Sequence, residues 1–235
     1  MPFRRVGRLS RFECVRARRM IYKELDAIDW QDQSVIVRRT SEGQMPYYLR
    51  RFFGESADVD VLNQLCVTTG GVVTRIDHLL MHDHGLVVVD SHSVSGHLQV
   101  EDDGRWICLD GSQMRVIRSP ITQAYEQALS LKSFLDKKVR QKGFFDKVEL
   151  DVIVAVPDVD VIQWPGTGAL VEVCNADAVP RMVNDRIDQY RRLGVGPGLL
   201  VAAQRRRLAE FLVLKHRPRL LRRPGEAAGS GPGHG

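Results

Sequence analysis

The stretch from Arg75 to Gly96, RIDHLLMHDHGLVVVDSHSVSG, restricts what this chain can fold into more than any other. Leu86-Val87-Val88-Val89 is apolar on both faces, the pattern of a central strand covered from two sides. Before it comes an alternating run in which Leu79 and Met81 share the face of Asp77, so a second strand is expected to pair with the first. His82-Asp83-His84-Gly85 lies between them with a tight-turn composition, and its Gly is available for positive φ. A two-residue loop at Asp83-His84 sets His82 across from Gly85. Counting outward then sets Asp77 across from Asp90. Directly opposed residues have Cβ atoms about 4.5–5.5 Å apart, close enough for two carboxylates to share one divalent cation. A three-residue loop would move the register by one and still leave the acids close together.

Two acids on paired strands, with a polar residue two positions after the second, suit metal-dependent phosphodiester hydrolysis. Water is a poor nucleophile at pH 7 and the phosphate it must attack is anionic. A bound divalent ion lowers the water's pKa and offsets charge on the phosphate oxygens. Asp90 and His92 are two apart on a strand and leave the same face, so His92 stands where a base or water-positioning group belongs. The plainer alternative is a set of polar residues at strand ends, where a sheet meets solvent.

Asp90-Ser91-His92-Ser93-Val94-Ser95-Gly96 resembles the Glu-x-Lys-Asn-x-Ser-Gly segment of the NERD (nuclease-related domain) family. Ile76-Asp77-His78 is similar to its Ile-Asp-His, and Gly85 to Val89 to the strand that follows. Gly54-Glu55, Trp106 and Ser119-Pro120-Ile121-Thr122-Gln123 resemble three further family features in the same order, over roughly Gly54 to Pro157. The resemblance implies an α/β fold of the PD-(D/E)XK, restriction-endonuclease-like type: a mixed β-sheet core flanked by helices, here with N- and C-terminal helical extensions. It also implies Mg²⁺ or Mn²⁺ held by Asp77 and Asp90. Glu55 is a candidate third acid from a first helix, and Gln123 an auxiliary residue at the start of a second. The chain departs from the pattern at the chemistry itself. The family's Glu is Asp90, one methylene shorter, and its Lys is His92. Lysine supplies a fixed positive charge, whereas an imidazole titrates near neutrality and can serve as a base. Two functions therefore stay open: a metal-dependent nuclease, and a nuclease-fold module that binds DNA or a protein partner without cleaving.

Charge bears on that choice. Residues 1–20 hold seven Arg and one Glu and residues 201–235 eight Lys or Arg and two Glu, so each end carries +6 and the middle −7 within the net +5. Basic arms around an acidic centre suit a protein that grips a phosphate backbone while its acids hold a metal. Arg-rich solvated ends with no partner are the alternative. No apolar run is long enough for a transmembrane helix, and the N-terminus lacks the apolar core of a signal peptide, so the cytoplasm is the expected compartment. The four cysteines are far apart with no C-x-x-C pair, which argues against a zinc ribbon and a disulfide framework. Five of the seven histidines fall between His78 and His97. His82 and His84 bracket a turn and are expected to point to solvent, so a metal held by Asp77, Asp90 and His92 together fits better than an all-histidine site.

The expected organisation is a basic accessory region over 1–50, a nuclease-like domain over 51–165, a helical extension over 166–218 and a disordered tail over 219–235. The accessory region should hold a helix over Arg16 to Ala27, a short strand at Ser34 to Val37 and a linker at Ser41 to Pro46. Within the domain, Val59, Leu62 and Leu65 at helical spacing predict a first helix over about Glu55 to Cys66. Strands with turns at Glu101 to Gly104 and Asp110 to Ser112 should follow between His97 and Ile117. Ser119-Pro120 opens a long helix with Ile121, Ala124, Ala128, Leu131 and Leu135 on its buried stripe. Lys147 to Val156 reads as a further strand, and Met182 to Leu193 and Leu199 to Leu214 as helices. Arg205, Arg206 and Arg207 lie on the last of these.

Overall fold

The computed structural model describes residues 20–26, 44–92, 97–139, 143–156, 162–194, 198 and 200–217. A six-stranded mixed sheet organises them, in the order β1 (Ile21–Lys23), β2 (Asp60–Thr69), β3 (Val72–Met81), β4 (Gly85–Ser91), β8 (Glu149–Val156), β10 (Val173–Asn175). The β2–β3–β4 meander is antiparallel. The pairs β1–β2, β4–β8 and β8–β10 are parallel. A smaller sheet is formed by the meander β5 (His97–Val100), β6 (Trp106–Asp110) and β7 (Gln113–Ile117), with β9 (Ile162–Gln163) parallel to β5. Its turns fall where Gly104 and Gly111 take positive φ, as the sequence led us to expect.

Helices cover both faces of the large sheet. α2 (Pro120–Lys138) and α4 (Ala202–Lys215) bury Ala124, Ala128, Leu131, Leu135, Leu208 and Leu212 against Leu79, Met81, Leu86 and Val88. α1 (44–53) and α3 (Val179–Arg192) bury Met45, Leu49, Phe53, Val183 and Ile187 against Leu80, Val87 and Val89. β4 thus has apolar side chains on both faces because helices stand on both. α2 begins as its sequence dictates: the Ser119 hydroxyl accepts from the Thr122 N–H at 3.3 Å, and Pro120 gives up an N–H that had no helical partner.

The first helix expected over Glu55 to Cys66 is instead strand β2. Gln64 is the reason. It has φ +54°, and the β2–β3 register passes from Asn63↔His78 to Leu65↔Ile76 around it. This local twist brings Leu62, Leu65 and Val67 into the same cluster, so a strand acquires the three-residue spacing of a helix. The helix lies one segment earlier. Gln44 to Pro46, expected as linker, opens α1, and Gly54 ends it with its N–H donating to the Arg50 carbonyl at 2.9 Å. The boundary drawn at residue 50 falls within that helix. Ile21–Lys23 is not part of a helix; it is the edge strand β1, and the Met20 carbonyl accepts from the Val61 N–H at 2.7 Å. The strand expected at Ser34 to Val37 and the tail over 219–235 lie outside the described residues. No helix among the described residues is long and apolar enough to cross a membrane.

Candidate active site at the open end of the β3–β4 hairpin

The loop joining β3 and β4 has two residues. His82 N–H donates to the Gly85 carbonyl at 3.0 Å and Gly85 N–H returns a bond to His82 at 3.3 Å. The register runs from Met81↔Leu86 to His78↔Val89, and one step further sets Asp77 across from Asp90. There the ladder stops. The next N–H of β4, on Ser91, donates to Asp77 Oδ2 at 3.2 Å. Asp77 therefore ends the pairing with its own side chain, and the strands part at the two acids.

Asp90 lies on the α2 face of the sheet, since it alternates with Leu86 and Val88. The side chains of both acids are mostly buried, at 13% exposure for Asp77 and 6% for Asp90. Arg75 Nη2 pairs with Asp77 Oδ1 at 3.0 Å. His92 follows on the face of Asp90, with its Nδ1 3.7 Å from Asp90 Oδ2, too long for a hydrogen bond. Its Nε2 is buried and has no hydrogen-bond partner among the described residues. On the opposite face, a neutral His78 is held between Asn63 Oδ1 at 2.8 Å and Ser91 Oγ at 2.9 Å. Burial drives its pKa down to about 3, so Nδ1–H donates to Asn63 and Nε2 accepts from the Ser91 hydroxyl. Ser91 is thereby fixed from one face through its hydroxyl while its N–H fixes Asp77 on the other.

The register sets Asp77 across from Asp90, with His92 Nδ1 3.7 Å from Asp90 Oδ2, and Glu55 lies apart from them. Glu55 is exposed in the turn after α1 and leads toward Asp60, which pairs with Met81 at the closed end of the hairpin. Four residues of β3 separate that level from Asp77, roughly 13 Å. Glu55 came to the wrong end because Gly54-Glu55 closes a helix here instead of opening one. Gln123 is half-buried in the first turn of α2, whose stripe packs on the face that carries Asp90. One turn on, the Gln127 Oε1 is buried without a partner among the described residues. Among the described residues no three His, Cys, Asp or Glu side chains converge to enclose a metal. Two nearly buried carboxylates nonetheless fit Mg²⁺ or Mn²⁺, which keep several waters and are commonly held by one or two carboxylates together with substrate phosphates.

The closed end of the hairpin differs from expectation. His82 and His84 do not face solvent; they are 1% and 9% exposed. His82 Nδ1 accepts from the His84 N–H, His84 stacks on Tyr190 at 5.4 Å, and burial lowers the His82 pKa to about 3. Arg205 is also no solvent-facing cation. It is buried, with Nε on Asp60 Oδ2 at 2.9 Å, Nη1 on the Leu200 carbonyl, Nη2 on the Ala57 carbonyl, and an ion pair to Asp83.

Two site neighbours were missed from sequence. Arg75 precedes Asp77 by two, a spacing that on a strand puts cation and acid side by side, and that signal was readable. Gln64 stands level with Asp77 on β2, and its positive φ is the kind of strand irregularity that re-aims neighbouring side chains. No residue type announced it.

No curated protein and no solved structure matches the chain significantly. The family model for the nuclease-related domain, NERD, matches residues 39–162, just over half of the chain, and takes in α1, the hairpin with both acids, the β5–β7 meander, α2 and β8. The chain is a member of the NERD family, with a nuclease-related mixed α/β fold.

Proposed function

We propose that the protein hydrolyses phosphodiester bonds of nucleic acid, with DNA as the expected substrate, using Mg²⁺ or Mn²⁺ at the open end of the hairpin. The observation that carries this reading is the pairing of Asp77 and Asp90 where the β3–β4 ladder parts, in a chain of a nuclease-related family. Asp77 and Asp90 would hold the ion. When bound, it would lower the pKa of a water and offset charge on the phosphate. Asp90 supplies an oxygen from the face that α2 covers. Asp77, oriented by the Ser91 N–H on its Oδ2, would supply the second carboxylate. The Nε2 of His92, buried without a hydrogen-bond partner among the described residues, orients the attacking water and takes its proton, the base role that lysine fills less readily at pH 7. Gln123 supports the site from the first turn of α2. The basic terminal segments would hold the phosphate backbone, with a binding strength that falls steeply as salt rises.

The test is cleavage of linear, circular and single-stranded DNA with Mn²⁺ by the parent and by Asp77→Ala. Metal-dependent cleavage that disappears in the variant, with its circular dichroism unchanged, supports the reading; equal cleavage by both sinks it. A second reading is favoured by the Arg75–Asp77 ion pair and by His92 in place of lysine: a module that binds DNA or a protein partner without cleaving. Salt-sensitive DNA binding without cleavage by the parent, and activity gained by Asp90→Glu with His92→Lys, would decide for it.

A further inference from the structure

Asp77 is held from two directions. Its Oδ2 takes the Ser91 N–H, and its Oδ1 takes Arg75 Nη2 at 3.0 Å. The first bond comes from the backbone end of β4 and leaves the carboxylate negative. The second supplies a cation, and it sits on the same carboxylate that would hold the metal. Arg75 is a third exposed, so its guanidinium can leave for solvent, whereas Asp77 and Asp90 are nearly buried and cannot. Two carboxylates held close in a partly desolvated place repel each other unless a positive charge stands between or beside them. Arginine is protonated at every accessible pH, so that charge is permanent.

We infer that Arg75 is a built-in counter-cation that competes with the divalent ion for Asp77. The inference rests on the proposed metal site and adds how that site is kept when no metal is bound. Loading requires Arg75 to swing off Oδ1. The group released is a planar guanidinium that pairs well with a phosphate, so the residue that yields to the metal becomes available to the anionic substrate beside it.

The experiment follows Mn²⁺ binding to the full chain without nucleic acid, through the paramagnetic resonance signal of free Mn²⁺. Parent, Arg75→Gln, Arg75→Lys and Asp77→Asn are compared. Removing the competitor should tighten binding about tenfold in Arg75→Gln, while Arg75→Lys, which keeps the charge, stays near the parent. Equal or weaker binding in Arg75→Gln, with Asp77→Asn still abolishing it, would overturn the competition and leave the metal site standing. Mn²⁺ binding unchanged in Asp77→Asn would remove the metal site, and the competition with it. A second measurement needs no substitution at Arg75: in the ¹⁵N-labelled parent, Mg²⁺ should shift the Arg75 Nε–H signal in step with saturation. A signal that stays fixed while the site fills contradicts the inference.

Discussion

The two ends of the β3–β4 hairpin carry the same residue types and hold them in different ways. The closed end holds His82, Asp83 and His84; the open end holds Asp77, Asp90 and His92. At the closed end both histidines are buried and their neighbours come from parts of the chain distant in sequence. Tyr190 stacks on His84, and Arg205 pairs with Asp60 and Asp83. At the open end the acids face each other across the hairpin where the strands part, and Arg75, which pairs with Asp77, is a third exposed. A cluster of histidines and acids therefore says little about chemistry until its partners are known. What separates the two ends is whether an acid is paired by a buried cation distant in sequence, as Asp60 is by Arg205, or by a partly exposed one two residues away, as Asp77 is by Arg75.

Substitutions sharpen that contrast. The largest effect is expected at the closed end: Arg205→Met removes the buried cation that pairs with Asp60, at a cost of about 3–5 kcal/mol in urea unfolding. Cleavage per folded molecule should persist; its loss would tie the closed end to the chemistry. At the open end the signs reverse. Asp77→Asn should lower Mn²⁺-dependent cleavage by about a hundred- to a thousandfold, with the unfolding midpoint close to the parent's. A collapse in stability instead would make Asp77 a structural acid. Between them stands Ser91→Ala, which strips His78 Nε2 of its donor and should cost about 1–3 kcal/mol.

The smallest and most specific effect is in pH. Burial holds His78 and His82 at a pKa of about 3, below the ordinary 6.5. The unfolded chain takes up protons below about pH 6.5 that these folded imidazoles refuse, so this contribution is full above that pH and falls as the pH drops toward 3. His82→Phe should make the slope shallower by about one proton, or ~1.4 kcal/mol per pH unit. An unchanged slope would mean that His82 is protonated in the fold.

The hairpin was legible in sequence because two independent signals agreed: an apolar run on both faces and a turn only two residues long. Those same signals gave the opposition of Asp77 and Asp90. The β5–β7 meander, α2 and β8 were readable for similar local reasons. β2 was not, because the positive φ of Gln64 sets Leu62 and Leu65 on one face and imitates a helix. Glu55 went astray with it. The burial of Arg205 was also out of reach, since it depends on Asp60, 145 residues away, and nothing local distinguishes Arg205 from its neighbour Arg206. Residues whose roles are set by backbone pairing could be placed from sequence; those set by a remote charge could not.

The most direct test of the difference between the two ends is a crystal structure of the protein grown with Mn²⁺, read by anomalous scattering. The expected peak lies at the open end, within about 2.0–2.4 Å of carboxylate oxygens of both Asp77 and Asp90, with Arg75 turned away from Asp77. A peak at His82 and His84, with none between the acids, would contradict it.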